Sequence, residues 1–134
     1  MIYKLTEKWA IEPIIKLIEE RNDIFNIPKD KLGKYLLEAL IDENSVIFID
    51  EKDKKIRGFV FASIEEFDGE DVCFVHSCII DPEQKNTGFE FMAKLKKWCN
   101  EKRIKKILIS TKKPKPFEKK YKFTYKSTLL EKEV

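Results

Sequence analysis

Apolar residues along the chain follow two different periods. Within residues 9–21, Ile11, Ile14, Ile15 and Ile18 recur at i, i+3, i+4 and i+7, the spacing of one helix face. Pro28 breaks that segment. A second helix is expected from Asp30 as N-cap, with Leu32, Leu36, Ala39 and Leu40 on one face, closing at Asp42-Glu43-Asn44-Ser45. Residues 2–5 alternate weakly and predict a first strand. Residues 46–50, 56–64 and 72–80 are short apolar runs separated by the polar stretch 51–55 and by Phe67-Asp68-Gly69-Glu70, an Asp-Gly turn signal. Short connections make these three runs an antiparallel meander, which Pro82 ends.

The helical period returns over residues 88–102, where Phe91, Met92, Leu95 and Trp98 or Cys99 form a core face. A buried strand follows over 104–111, entered through Arg103 without a glycine cap. The crossover from Ile80 through this helix to Ile107 has the length and order of a βαβ unit. Residues 112–116 read as a loop, 117–121 as one helical turn and 123–130 as a final strand. The order β-αα-βββ-α-β-α-β predicts an α/β fold, a central mixed sheet flanked by helices, in one domain over residues 1–134.

Composition narrows the function. No apolar run nears the roughly 20 residues of a membrane span, and residues 1–8 carry no secretory h-region. Three cysteines, Cys73, Cys78 and Cys99, lack metal-type spacing and are odd in number, so free thiols in a reducing cytoplasm are expected. A single histidine, His76, excludes a multi-histidine metal centre, and no metal is expected. With only four glycines there is neither a Walker A loop nor a dinucleotide fingerprint. Charge is uneven. Residues 94–126 hold fourteen Lys or Arg and two acids, a local +12 in a chain of net +3, which leaves −9 for the remainder. That asymmetry points to an anionic partner or to a solvated lysine-rich face.

Two stretches carry more information. Cys78-Ile79-Ile80-Asp81-Pro82-Glu83 runs from a strand into Gln84-Lys85-Asn86-Thr87-Gly88-Phe89-Glu90 and a helix, and Phe117-Glu118-Lys119-Lys120-Tyr121-Lys122-Phe123 precedes the last strand. Together with the element order, they resemble the GNAT superfamily of N-acyltransferases. The family's loop reads Arg-Gly-x-Gly-x-Gly, of which Gly88 is retained, and its usual tyrosine is replaced by Glu118. The resemblance implies acetyl-CoA as co-substrate. Its pantetheine arm would lie along Cys78, Ile79 and Ile80 like an added strand, with its pyrophosphate at Lys85, Asn86, Thr87, Gly88, Phe89 and Glu90, where helix N–H groups and the dipole favour an anion. Glu90 opposes that anion and departs from the pattern.

The implied chemistry is direct attack of a primary amine on the thioester, with backbone N–H groups at residues 78–80 polarising the carbonyl. His76, sharing strand parity with Cys78 and Ile80, is the candidate base; its bland reading is a histidine satisfied within the sheet. Cys78 reads as a small buried filler rather than a nucleophile. Glu118 stands where the family's tyrosine protonates the leaving thiolate. An ionised glutamate cannot donate, so Tyr121, one helical turn on, is the substitute candidate. The acceptor is expected to be a small-molecule or peptide amine. A catalytically silent domain of the same fold, binding a protein or nucleic acid through its basic side, is the rival reading.

Overall fold

A computed structural model describes residues 1–21, 29–83 and 86–109. Its elements are β1 (Ile2–Lys4), α1 (Ile11–Arg21) preceded by a 3-10 turn at Lys8–Ala10, α2 (Lys29–Ile41), β2 (Ser45–Lys52), β3 (Lys55–Phe67), β4 (Glu70–Ile79), α3 (Thr87–Glu101) and β5 (Ile107–Ile109). Among the described residues the sheet order is β1-β2-β3-β4-β5. Neighbours are antiparallel except β4 and β5, which run parallel. The mixed α/β sheet expected from the pattern is present.

Two tight turns set the meander. Asp53 and Lys54 (φ 52° and 64°) join β2 to β3, and Asp68 and Gly69 (φ 52° and 76°) join β3 to β4. Positive φ at both central residues gives the turn a twist that matches the flanking strands. The first turn is therefore tighter than the polar stretch 51–55, because β2 and β3 stay paired out to Lys52 and Lys55.

The sheet is covered on both faces. Ile14, Ile18, Leu32 and Leu36 of α1 and α2 pack on Ile47, Ile49, Phe59, Phe61 and Ile79. Phe91, Leu95, Trp98 and Cys99 of α3 pack on Val46, Phe48, Val60, Ala62 and Val75 of the other face. Strands buried on two faces need continuous apolar runs rather than alternation, which explains residues 46–49 and 59–62.

Helix boundaries differ from expectation in two places and agree at a third. Asp30 lies inside the first turn of α2, which starts at Lys29, and is not its N-cap. Asp42 does close α2: its carboxylate accepts from the Asn44 N–H (2.9 Å) and the Ser45 hydroxyl (3.0 Å). At the end of α3, Arg103 takes the left-handed conformation (φ 60°) that glycine usually supplies. Its N–H donates to the Asn100 carbonyl at 3.2 Å, and the Ile104 N–H donates to that of Cys99 at 2.8 Å. Ile104 therefore belongs to the helix terminus, and the strand begins at Ile107, half-buried rather than fully buried. The expected loop, helical turn and last strand beyond residue 109 lie outside the described residues, as does Pro28.

Candidate active site

The site is set by a defect in β4. Phe61 pairs with Ser77 and Ala62 pairs with Val75, so His76 has no opposite residue on β3. One extra residue in a strand makes a bulge, which inverts the facing of everything beyond it. Strict alternation puts His76 with Cys78 and Ile80. The bulge separates them: Cys78 and Ile80 pack into the α3-side cluster, while Phe61, against which the His76 ring lies, belongs to the α1–α2 side. The expected shared face of His76 and Cys78 is thereby corrected.

His76 is held closely. Its ring centroid lies 5.0 Å from that of Phe61 and 5.1 Å from that of Phe74. Nε2 is 2.5 Å from the Ser63 hydroxyl, which donates to Glu65 Oε1 at 2.8 Å. Ser63 is buried, whereas the Glu65 side chain is about half exposed (53%). Glu65 Oε1 stands 3.8 Å from the imidazole. Burial lowers the His76 pKa from its ordinary 6.5, opposed by the Glu65 charge. A neutral imidazole at neutral pH follows, the protonation state a general base needs.

Burial has the opposite consequence for Cys78, whose thiol is pushed up to about 12. A thiol that stays protonated is a poor nucleophile, which supports the filler reading. Cys73 and Cys99 lie together inside the α3-side cluster: Cys73 is raised by its hydrogen bond to Cys99 and by burial, and Cys99 is lowered by accepting that bond.

Beyond β4, the Asp81 carboxylate accepts from the Glu83 N–H (3.0 Å), turning the chain towards α3. Asn86 occupies the N-cap without a side-chain bond to the helix; Thr87 and Gly88 are buried beneath the first turn, and Phe89 and Glu90 are exposed. Lys85, Glu118 and Tyr121 lie outside the described residues. On the far side of β4, the ladder to β5 runs from Cys73↔Ile107 to Val75↔Ile109 among the described residues.

The profile of the acetyltransferase (GNAT) family matches residues 13–117, more than half of the chain. The chain belongs to the GNAT acetyltransferase family. No curated protein sequence matches it. Solved structures agree in fold. An aminoglycoside 6′-N-acetyltransferase from Acinetobacter haemolyticus superposes with a TM-score of 0.77 at 12% identity, over 100% of this chain and 99% of that one. A predicted acetyltransferase from Clostridium acetobutylicum, solved with acetyl-CoA, gives 0.71 at 19% identity over 99% and 96%. Glucosamine-6-phosphate N-acetyltransferase from Arabidopsis thaliana gives 0.74 at 18% over 99% and 97%. At these identities the likeness shows the fold alone.

Sequence reasoning missed Ser63 and Glu65. The signal was present: Phe61, Ser63 and Glu65 alternate on one face of β3, so two polar residues continue an apolar row.

Proposed function

We propose that this GNAT family member is an acetyl-CoA-dependent N-acetyltransferase, a single catalytic domain in which His76 is the base for a primary amine of a small molecule or peptide. The observation that carries the reading is the β4 bulge, which turns His76, the one histidine of the sequence, out of the alternation near the end of β4, where the chain passes towards α3.

The residues present fit coenzyme A. Asn86 makes no side-chain cap, so the first N–H groups of α3 are not taken by their own N-cap side chain, and they and the helix dipole suit a pyrophosphate. Gly88, buried in that turn, keeps the surface low. Glu90 is exposed, which lets its carboxylate turn to solvent. The residues that would hold the co-substrate are Cys78, Ile79 and Ile80 along the strand and Asn86 to Glu90 at the helix, with Lys85 adding charge. Acetyl-CoA supplies an activated acetyl thioester when bound.

The chain's own part is positioning and proton handling. His76, neutral because it is buried, takes the proton of the attacking nitrogen. Cys78 keeps its proton and leaves the amine as the only nucleophile. Glu118 and Tyr121 remain the candidates for returning a proton to the leaving thiolate, with Tyr121 the one whose ordinary pKa suits the task. The test is release of free coenzyme A thiol from acetyl-CoA in the presence of a panel of alkylamines, aminosugars and peptide amines. Amine-dependent release supports the reading; none with any amine, at several pH values, overturns it.

A further inference from the structure

Resting on the acetyltransferase reading, we propose that Asp50 and Arg57 are positioning residues for coenzyme A. The bulge that joins them sets Gly58 against residues 79–80 and so fixes the strand edge at Cys78, Ile79 and Ile80.

The sheet has a second defect, on β3. Asp50 pairs with Gly58 and Glu51 with Ile56, so Arg57 has no opposite residue on β2. An extra residue of this kind bends its strand and re-aims its side chain. Arg57 turns to Asp50, with Nη2 donating to Oδ1 at 3.1 Å. The Asp50 side chain is 2% exposed and that of Arg57 22%. A carboxylate this deep is tolerated only with a cation beside it, so the charge anchors the bulge. The Met1 amine also reaches Oδ1, at 3.4 Å, but from an exposed position. Asp50 Oδ2 and Arg57 Nε are buried without hydrogen-bond partners, so the attachment rests on one carboxylate oxygen.

Register carries the constraint to β4. Phe48 pairs with Val60, and both pack on the α3 side. Two residues further towards the same end of the sheet, Asp50 and Gly58 share that face. Phe59↔Ile79 is the last pair of the β3–β4 ladder, and Gly58 is the next residue of β3. A Cβ at residue 58 would stand 2.5 Å from the Ile79 carbonyl oxygen and 3.5 Å from the Ile80 Cα. The chain therefore leaves β4 across the bare face of Gly58, on its way to α3. Gly58 is bonded to the anchored Arg57 and paired with Asp50, so a shift at the ion pair moves the surface on which this exit rests. The effect on the co-substrate passes through the backbone of residues 79–80.

The test is calorimetric titration of the full chain with acetyl-CoA, at a temperature where circular dichroism shows each variant folded. Arg57→Ala is expected to raise Kd roughly tenfold, a change of about 1.4 kcal/mol. At saturating acetyl-CoA its kcat should stay within about threefold of wild type, a loss of binding rather than of chemistry. Arg57→Lys, which keeps a cation at Asp50, should recover most of the affinity. Asp50→Asn separates positioning from direct attraction. A guanidinium that met the phosphates itself would bind them better once its carboxylate partner is neutralised. A positioning pair loses its anchor instead, and Kd should rise several-fold. In a Gly58→Ala background, Arg57→Ala should change Kd by less than about twofold, because both act through the same residues. Unaltered affinity in folded Arg57→Ala, unchanged or tighter binding by Asp50→Asn, or additive losses in the double variant overturns the proposal. So does a fall in kcat that matches the fall in affinity. Each of these leaves the acetyltransferase reading standing. No binding to the wild type at millimolar acetyl-CoA overturns that reading and the positioning role with it.

Discussion

Gly58 of β3 sits against the carbonyl of Ile79 at the end of β4: a Cβ at residue 58 would stand 2.5 Å from that oxygen. The obstacle is backbone, so it cannot swing aside as a side chain would. Gly58→Ala is expected to push residues 79–80 outward, with a cost of about 1–3 kcal/mol, the usual range for overpacking. A thermal melt checks this, and an unchanged Tm would mean that the strands part without strain.

Arg103 gives the opposite case. Its φ of 60° is one that a Cβ disfavours, and it is exposed at the end of α3. Arg103→Gly keeps the two capping hydrogen bonds and removes the penalty, so a stability gain of about 0.5–1 kcal/mol is expected. In a chain of this size that is a Tm rise of roughly 2–5 °C.

The helices and the meander were legible in the sequence because each rests on a repeated signal. The isoleucines at helical spacing in α1 and the Asp68-Gly69 pair are examples. The bulge was not legible. A single extra residue in β4 leaves no mark on composition, and its effect, moving His76 to the face opposite Cys78, reverses an argument from parity. Arg103 shows a related limit: the capping geometry exists without its customary residue. The strand–turn–helix passage singled out His76, Cys78 and the start of α3 as candidates. Ser63 and Glu65 escaped because their role depends on a neighbour thirteen and eleven residues away across a hairpin.

For catalysis the sign of the pH effect follows from the direction of the His76 shift. The base must be neutral, so activity rises with pH through its pKa, and burial places that midpoint below 6.5. A kcat profile with its acid limb below 6.5 is expected. His76→Ala should lower kcat by roughly 10²–10⁴-fold and abolish that limb. If the variant stays within twofold of wild type, deprotonation is not assisted by this ring.

Cys78 provides the complementary control. Its thiol, pushed up to about 12, holds its proton at neutral pH. Cys78→Ala is expected to keep kcat within a few-fold, and initial-rate plots of amine against acetyl-CoA should intersect rather than run parallel. Parallel lines, the mark of a ping-pong sequence, would indicate an acetylated enzyme and contradict direct attack.

Calorimetric titration of the full chain with acetyl-CoA tests whether the turn at the head of α3 binds the co-substrate. Wild type is expected to bind at one site, with thermal stabilisation of about 2.7 kcal/mol when the ligand reaches 100 times its Kd. Gly88→Glu, which places a bulky anion in the buried first turn, should abolish binding; its far-ultraviolet circular dichroism reports whether the fold persists. Saturable binding lost in the folded variant is the predicted result. No binding to the wild type at millimolar acetyl-CoA, or equal binding to wild type and variant, would contradict the account.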